Sequence, residues 1–240
     1  MLLTSAAQTD IGLVRHENED RLLCADDLRL FAVADGIGGL PGGAEAAQTA
    51  VTALLREART DATGKTGIDL RRAFFAANAE VIALAEELSP DTGLGTTLCA
   101  LTIQSGHALI ANVGDSRCYL FRAGKIQLLT TDDTVENEVN LRRSRGEHAV
   151  LEDHHRNALT RCIGQPMPLI VEIARHSLET GDLLLVCSDG ISRSLTEDGI
   201  AAHFTPDRNP AQVLAALIAE SLSQGGLDNA TGVIIRIDAL

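Results

Sequence analysis

The chain predicts an α+β protein whose sheets are antiparallel. Two observations carry this. Strand-like runs come in close pairs: 96–103 is joined to 108–113 by Gln104-Ser105-Gly106-His107, and 118–122 to 126–129 by Ala123-Gly124-Lys125. Connections this short make hairpins. The amphipathic helices are also grouped in two places instead of alternating with strands one by one, which argues against a wound parallel sheet.

The helices are read from their spacing. Over 43–58, Ala47, Val51, Leu54, Leu55 and Ala58 fall on one face. A second helix starts at the cap Asp69 and carries Leu70, Ala73, Phe74, Ala77, Val81, Leu84 and Leu88 at helical intervals. The small, polar residues between them, 60–67, predict an antiparallel pair. A third helix opens at Asn209-Pro210, a cap followed by proline at the first helical position, and buries Val213, Leu214, Leu217, Ile218 and Leu222. The remaining strand candidates are 21–25, 30–34, 171–176, 183–187 and 232–237.

Hydrophobic residues make up 45% of the 240 and aromatics only 2%, so the core must be aliphatic and alanine-rich. A net charge of −13 argues against nucleic acid or an anionic membrane as partner, and suits a protein that gathers divalent cations. The cysteines are five, with no CxxC, and four lie in apolar strand-like runs, which predicts free thiols in a reducing compartment. Residues 1–7 have no basic stretch and too little apolar length for a signal peptide, and no run approaches a membrane span. The expectation is a cytoplasmic monomer of one domain, 1–240. Within it, 131–161 stands apart as polar and highly charged, either a solvated insert or a flap beside a site.

Four aspartates sit in tight turns beside apolar runs. Asp35 follows Phe31-Ala32-Val33-Ala34, Asp115 follows Ala111-Asn112-Val113-Gly114, Asp189 follows Leu184-Leu185-Val186-Cys187-Ser188, and Asp228 follows Gly225-Gly226-Leu227. A carboxylate at a buried strand end is costly without a positive partner. Each alone could simply cap its own turn; several converging would make an oxygen-rich pocket for hard divalent cations. Near the N-terminus, Arg15 precedes Glu19 and Asp20. Arginine grips paired phosphate oxygens well, and it equally forms surface salt bridges.

Seven blocks occur in order along the chain: Arg15-x-x-Asn18-Glu19-Asp20, Asp35-Gly36-x-Gly38-Gly39, Leu94-Gly95-Thr96-Thr97, Ala111-Asn112-Val113-Gly114-Asp115-Ser116-Arg117, Leu159-Thr160-Arg161-x-x-Gly164, Gly181-Asp182-x-x-Leu185-x-x-Ser188-Asp189-Gly190, and Asp228-Asn229-x-Thr231. With them the chain resembles the bacterial PPM-type (type 2C) metal-dependent Ser/Thr protein phosphatases. The resemblance implies two packed antiparallel sheets flanked by helices, an α-β-β-α sandwich. It implies hydrolysis of phosphoserine and phosphothreonine by water activated at a binuclear Mn²⁺ or Mg²⁺ centre. Asp35 would bridge the metals, Asp189 and Asp228 would hold the first, and the Gly36 carbonyl the second. Asp115 with Asp189 would take a weaker third ion. Glu19 and Asp20 would orient metal-bound waters, and Arg15 would bind the substrate phosphate. Partners would be phosphoproteins and the Ser/Thr kinase that makes them.

Three departures from the family pattern stand out. Ile37 lies where eukaryotic relatives carry histidine, Asp133-Thr134 where His-Ser is usual, and Arg193 where many members have a second aspartate, which weakens the third-metal expectation. Among other classes, Gly36 to Gly43 lacks the Lys-Ser/Thr ending of a nucleotide loop. Ser116 and Ser188 lack the Gly-x-Ser-x-Gly setting of a serine hydrolase. A pseudophosphatase adaptor on the same fold is the remaining rival, and the filled ligand positions argue against it.

Overall fold

The structure is a computed structural model that describes residues 1–37, 42–63, 67–166, 168–205 and 208–240. Two five-stranded sheets, antiparallel throughout, form its centre. Strands β1 (Leu2–Asp10), β10 (Ala230–Ala239), β9 (Leu183–Cys187), β6 (Arg117–Arg122) and β7 (Lys125–Leu128) make the first, in that order. The second runs β2 (Asp20–Ala25), β3 (Leu30–Asp35), β4 (Leu98–Gln104), β5 (His107–Val113) and β8 (Glu172–Ser177).

Alternation along the strands explains the layers. Phe31, Val33, Leu101 and Ile110 of the second sheet meet Leu184, Val186, Val233 and Ile235 of the first in the space between them. The opposite face of the second sheet presents Ala32, Ala34, Ala100 and Ala111. Against it lie helices α1 (Gly43–Ala62) and α2 (Leu70–Leu88), through Ala46, Ala47, Ala50, Leu54, Phe74 and Ala77. Small side chains on both surfaces let helix and sheet approach closely, so the alanine-rich composition has a structural use. On the outer face of the first sheet, Leu185, Cys187 and Ile234 pack under Val213, Leu214, Leu217 and Ile218 of α6 (Pro210–Ser223). Both faces of these strands are covered, which is why they read as continuous apolar runs.

The two expected caps form. Asp69 accepts from Arg72 N, and Asn209 makes a reciprocal capping box with Gln212; such a cap contributes about 1 kcal/mol. Part of the expected linker, 64–66, lies outside the described residues. Leu88, placed on the buried face of the second helix by spacing, is the last residue of that helix and is exposed.

The sequence pattern does not disclose β1. Leu2-Leu3-Thr4-Ser5-Ala6-Ala7-Gln8-Thr9-Asp10 is poor in strand formers, yet it pairs with β10 from Leu3↔Ile237 to Asp10↔Ala230. The partner strand's open edge, not local propensity, makes it a strand. Three helices are also unannounced: α3 (Val135–Ser144) in the charged insert, α4 (Asp189–Ser192) and α5 (Glu197–Ala202). Helix α3 buries only Val139, so it leaves no apolar period to detect. What holds it is local: Thr134 caps Asn137 N, with Glu136 and Glu138 in the first turn and Arg142 and Arg143 in the last.

Candidate active site

The carboxylates singled out in the sequence come from both sheets and meet where the strand ends converge. Asp20 opens β2 and Asp35 closes β3, and the antiparallel register sets them opposite one another. Asp115 follows β5 after Gly114. From the other sheet, Asp189 follows β9, and Asp228 lies just before β10.

Backbone contacts hold each turn. Asp35 N donates to Thr97 Oγ1 at 3.0 Å, while Thr97 N and Thr96 Oγ1 donate to the Asp35 carbonyl at 2.8 and 2.9 Å. Gly36 is required by close approach, since a Cβ there would lie 2.4 Å from the Gly43 carbonyl oxygen. Gly190 is required likewise, with Asn229 O only 2.0 Å from such an atom. Gly38 and Gly39 of the same expected block lie outside the described residues.

Asn229 ties the N-terminal loop to the site. Its Nδ2 donates to the carbonyls of Ile11 at 2.8 Å and Glu17 at 3.0 Å, and its Oδ1 accepts from Glu19 N at 2.8 Å. Asn229 thus fixes the backbone at Ile11, Glu17 and Glu19, on either side of Arg15 in sequence, a part its place in the Asp228-Asn229-x-Thr231 block does not disclose. Ser188 acts similarly, donating from Oγ to Asp20 Oδ2 at 2.8 Å and accepting from Thr231 N at 3.1 Å.

The electrostatics are those of too many negative charges in one place. Asp20 is buried, and its carboxyl is pushed up to about 7, first by burial and further by Asp189 and Asp228, against hydrogen bonds from Thr231 and Ser188. Asp35 keeps some surface open to solvent, but protein crowds its carboxyl. Burial, then Asp20, Asp189, Asp115 and Asp228, hold it well above the usual carboxylate range. Asp115 is pushed up to about 6 by burial, with Asp189 adding to this and Arg193 opposing it. Burial also raises Asp189 and Glu19.

Two features test whether the set suits a cation. Asp20 Oδ1 and Asp189 Oδ1 are buried with no hydrogen-bond partner. The negative charge of Asp189 also raises the Asp35 carboxyl, a like-charge conflict that a cation between them would relieve. Oxygen donors without a partner, in a cluster of like charge, fit hard divalent ions.

Two arginines face the cluster. Arg15 Nη2 donates to Asp228 Oδ2 at 2.7 Å, with about a third of each side chain exposed, so the salt-bridge reading of Arg15 is realised at the site itself. Arg193 contacts both Asp115 and Asp189. The charged insert adjoins this region through Asp133, which pairs with Arg161 and accepts from Gly114 N at 3.0 Å, one residue from Asp115. Beneath α3 a cavity of about 600 Å³, lined by Ile110, Asn112, Asp132, Asp133, Leu141 and Arg161, includes none of the clustered carboxylates.

Comparison with known proteins agrees with this architecture. The protein phosphatase 2C family model matches residues 15–222, and the chain belongs to that family, whose members are metal-dependent phosphatases. The serine/threonine phosphatase stp of Listeria monocytogenes is 30% identical over 239 residues, covering 96% of this chain and 94% of its own. The crystal structure of the Mycobacterium tuberculosis serine/threonine phosphatase PstP superposes with a TM-score of 0.86 at 30% identity over 100% of both chains. A structure of the PstP catalytic domain in complex with two manganese ions gives a TM-score of 0.81 at 32% identity, over 98% of this chain and 97% of that one. The expected pair of packed antiparallel sheets is thus the fold of this family. Among the described residues, no helix is long and apolar enough to cross a membrane.

Proposed function

We propose that the chain is a metal-dependent protein serine/threonine phosphatase that hydrolyses phosphoserine and phosphothreonine on proteins. The observation that carries the reading is the convergence of five aspartates, two of them with buried unpartnered oxygens, beside an exposed arginine. In this reading Asp35, Asp189, Asp228 and the Gly36 carbonyl would hold two cations. Asp115 stands with Asp189 for a weaker third. An all-oxygen donor set suits Mn²⁺ or Mg²⁺. Such ions, when bound, supply Lewis-acid charge and lower the pKa of water.

The chain's own groups divide the rest of the work. Arg15 gives one Nη to Asp228, and the guanidinium fork has donors left for phosphate oxygens as charge spreads over them. Asp20, held by Ser188, presents its unpartnered Oδ1 to accept a hydrogen bond from water. Glu19, fixed through its backbone to Asn229, acts beside it. Ile37 brings no titratable group, so no side chain at that position protonates the leaving oxygen. Residues 131–161 form a flap that selects among protein substrates. These are products of a Ser/Thr kinase, and the protein acts as a cytoplasmic monomer, in keeping with its five free thiols.

The test is phosphopeptide hydrolysis with and without added Mn²⁺, in wild type and Asp35→Asn. Activity should require the ion and fall by on the order of a thousandfold or more in the variant. Near-wild-type turnover of Asp35→Asn at saturating Mn²⁺ would sink the assignment.

A further inference from the structure

Ten large apolar side chains are exposed among the described residues, and four of them, Ile11, Leu13, Val14 and Leu227, stand on two loops that border the site. Leu13 is 69% exposed, Val14 56% and Leu227 70%. Arg15 directly follows Val14 and Asp228 directly follows Leu227, so apolar residues adjoin the Arg15–Asp228 ion pair on both of its loops.

These loops are held in place. Leu13 N donates to Gly226 O at 2.7 Å, and Asn229 Nδ2 fixes the Ile11 carbonyl. Gly12, at φ +81°, packs so closely on Asp228 that a Cβ would lie 2.3 Å from its carbonyl oxygen. The Leu13 side chain rests against Gly226, where a Cβ would come within 2.8 Å of Leu13 Cγ. The leucines are therefore presented to solvent by a stitched platform and are not the fringe of a loose loop. Exposed apolar side chains on a rigid rim of the site are placed to touch whatever enters it.

We infer that Leu13, Val14 and Leu227 form a substrate subsite that takes an apolar side chain next to the phosphorylated serine or threonine. The inference rests on the phosphatase reading above and deepens it. Its occupant follows from continuity with the site. A phosphate gripped at Arg15 brings its own polypeptide across the adjoining surface. Consecutive Cα atoms are about 3.8 Å apart, so the residues one or two positions away land on the platform. The net charge of −13 disfavours acidic neighbours, and the exposed Leu13, Val14 and Leu227 side chains supply the apolar contact.

The experiment uses the full chain with Mn²⁺ and a set of phosphothreonine peptides. Leucine replaces serine singly at the two positions before and the two after the phosphothreonine. Each kcat/KM is divided by that for para-nitrophenyl phosphate on the same preparation. At one position leucine should raise this ratio about tenfold, the scale of a single apolar group in a pocket. The Leu13→Ser/Leu227→Ser double variant should lose that preference, and Leu13→Met/Leu227→Met should keep it. No leucine preference at any position, or a preference that survives in the serine variant, overturns the subsite. Failure to hydrolyse any phosphopeptide would instead overturn the phosphatase reading beneath it.

Discussion

Arg193 Nη1 lies 2.9 Å from Asp189 Oδ2, and the same guanidinium ion-pairs with Asp115 through Nη2. The chain thereby carries its own cation between two carboxylates that the family resemblance assigns to a weaker third ion. Asp189 keeps Oδ1 without a partner, turned away from the arginine's bond. Arg193 thus engages one oxygen of Asp189 and leaves the other for a ligand.

A divalent ion beside that guanidinium would be repelled by about 8 kcal/mol at roughly 4 Å and an effective dielectric of about 20. Wild type should therefore bind two Mn²⁺ ions, and Arg193→Asp a third. Calorimetric titration with metal analysis of the dialysed protein reads the stoichiometry directly. Equal stoichiometry in both proteins would show that the Arg193 pair does not decide ion number.

Arg15→Lys should raise KM for a phosphopeptide more than it lowers kcat, with KM rising about tenfold. Lysine keeps the charge but not the planar fork that can hold Asp228 and a phosphate oxygen together. Steady-state kinetics on one peptide decide this. Unchanged constants would leave Arg15 as a salt bridge at the rim and nothing more.

The insert should govern protein substrates and not the chemistry. Arg142, Arg143 and Arg145, on and just after α3, are exposed and make none of the contacts that hold the aspartate cluster. Replacing all three with serine should leave para-nitrophenyl phosphate turnover within about twofold and change kcat/KM on phosphoproteins several-fold. Equal losses on both substrates would argue that the segment props up the site.

Removal of metal should expose the charge conflict as a pH effect on stability. Asp20 at about 7, Asp115 at about 6 and Asp35 above its ordinary range are all raised, chiefly by burial. In the metal-free fold they keep protons that the unfolded chain releases above about pH 4. The stability of this state is thus highest below the ordinary carboxylate range and falls as pH rises through 6 to 7. Cation binding needs the same carboxyls ionised. The gap in Tm between Mn²⁺-loaded and chelator-treated protein should therefore widen from pH 5 to pH 8, by on the order of 5 °C. A gap that is constant or narrows toward pH 8 would contradict the shared burial of these groups.

What the chain's sequence determined by itself was whatever depends on local pattern. Helices α1, α2 and α6 show their apolar faces and caps in neighbouring residues, and the β4–β5 and β6–β7 hairpins show their turns. The aspartates announce themselves because a charge beside a buried strand run is costly wherever it occurs. Tertiary structure alone decided the relations between distant residues. Strand β1 exists because β10 offers an edge at least 220 residues away. Asp20 faces Asp35 through a pairing register, Asn229 reaches back to Ile11 and Glu17, and Arg193 closes on Asp115 across 78 positions. The Asn229–Glu17 and Arg193–Asp115 contacts form only when the two sheets stack, because burial between the layers orders the strand ends against one another.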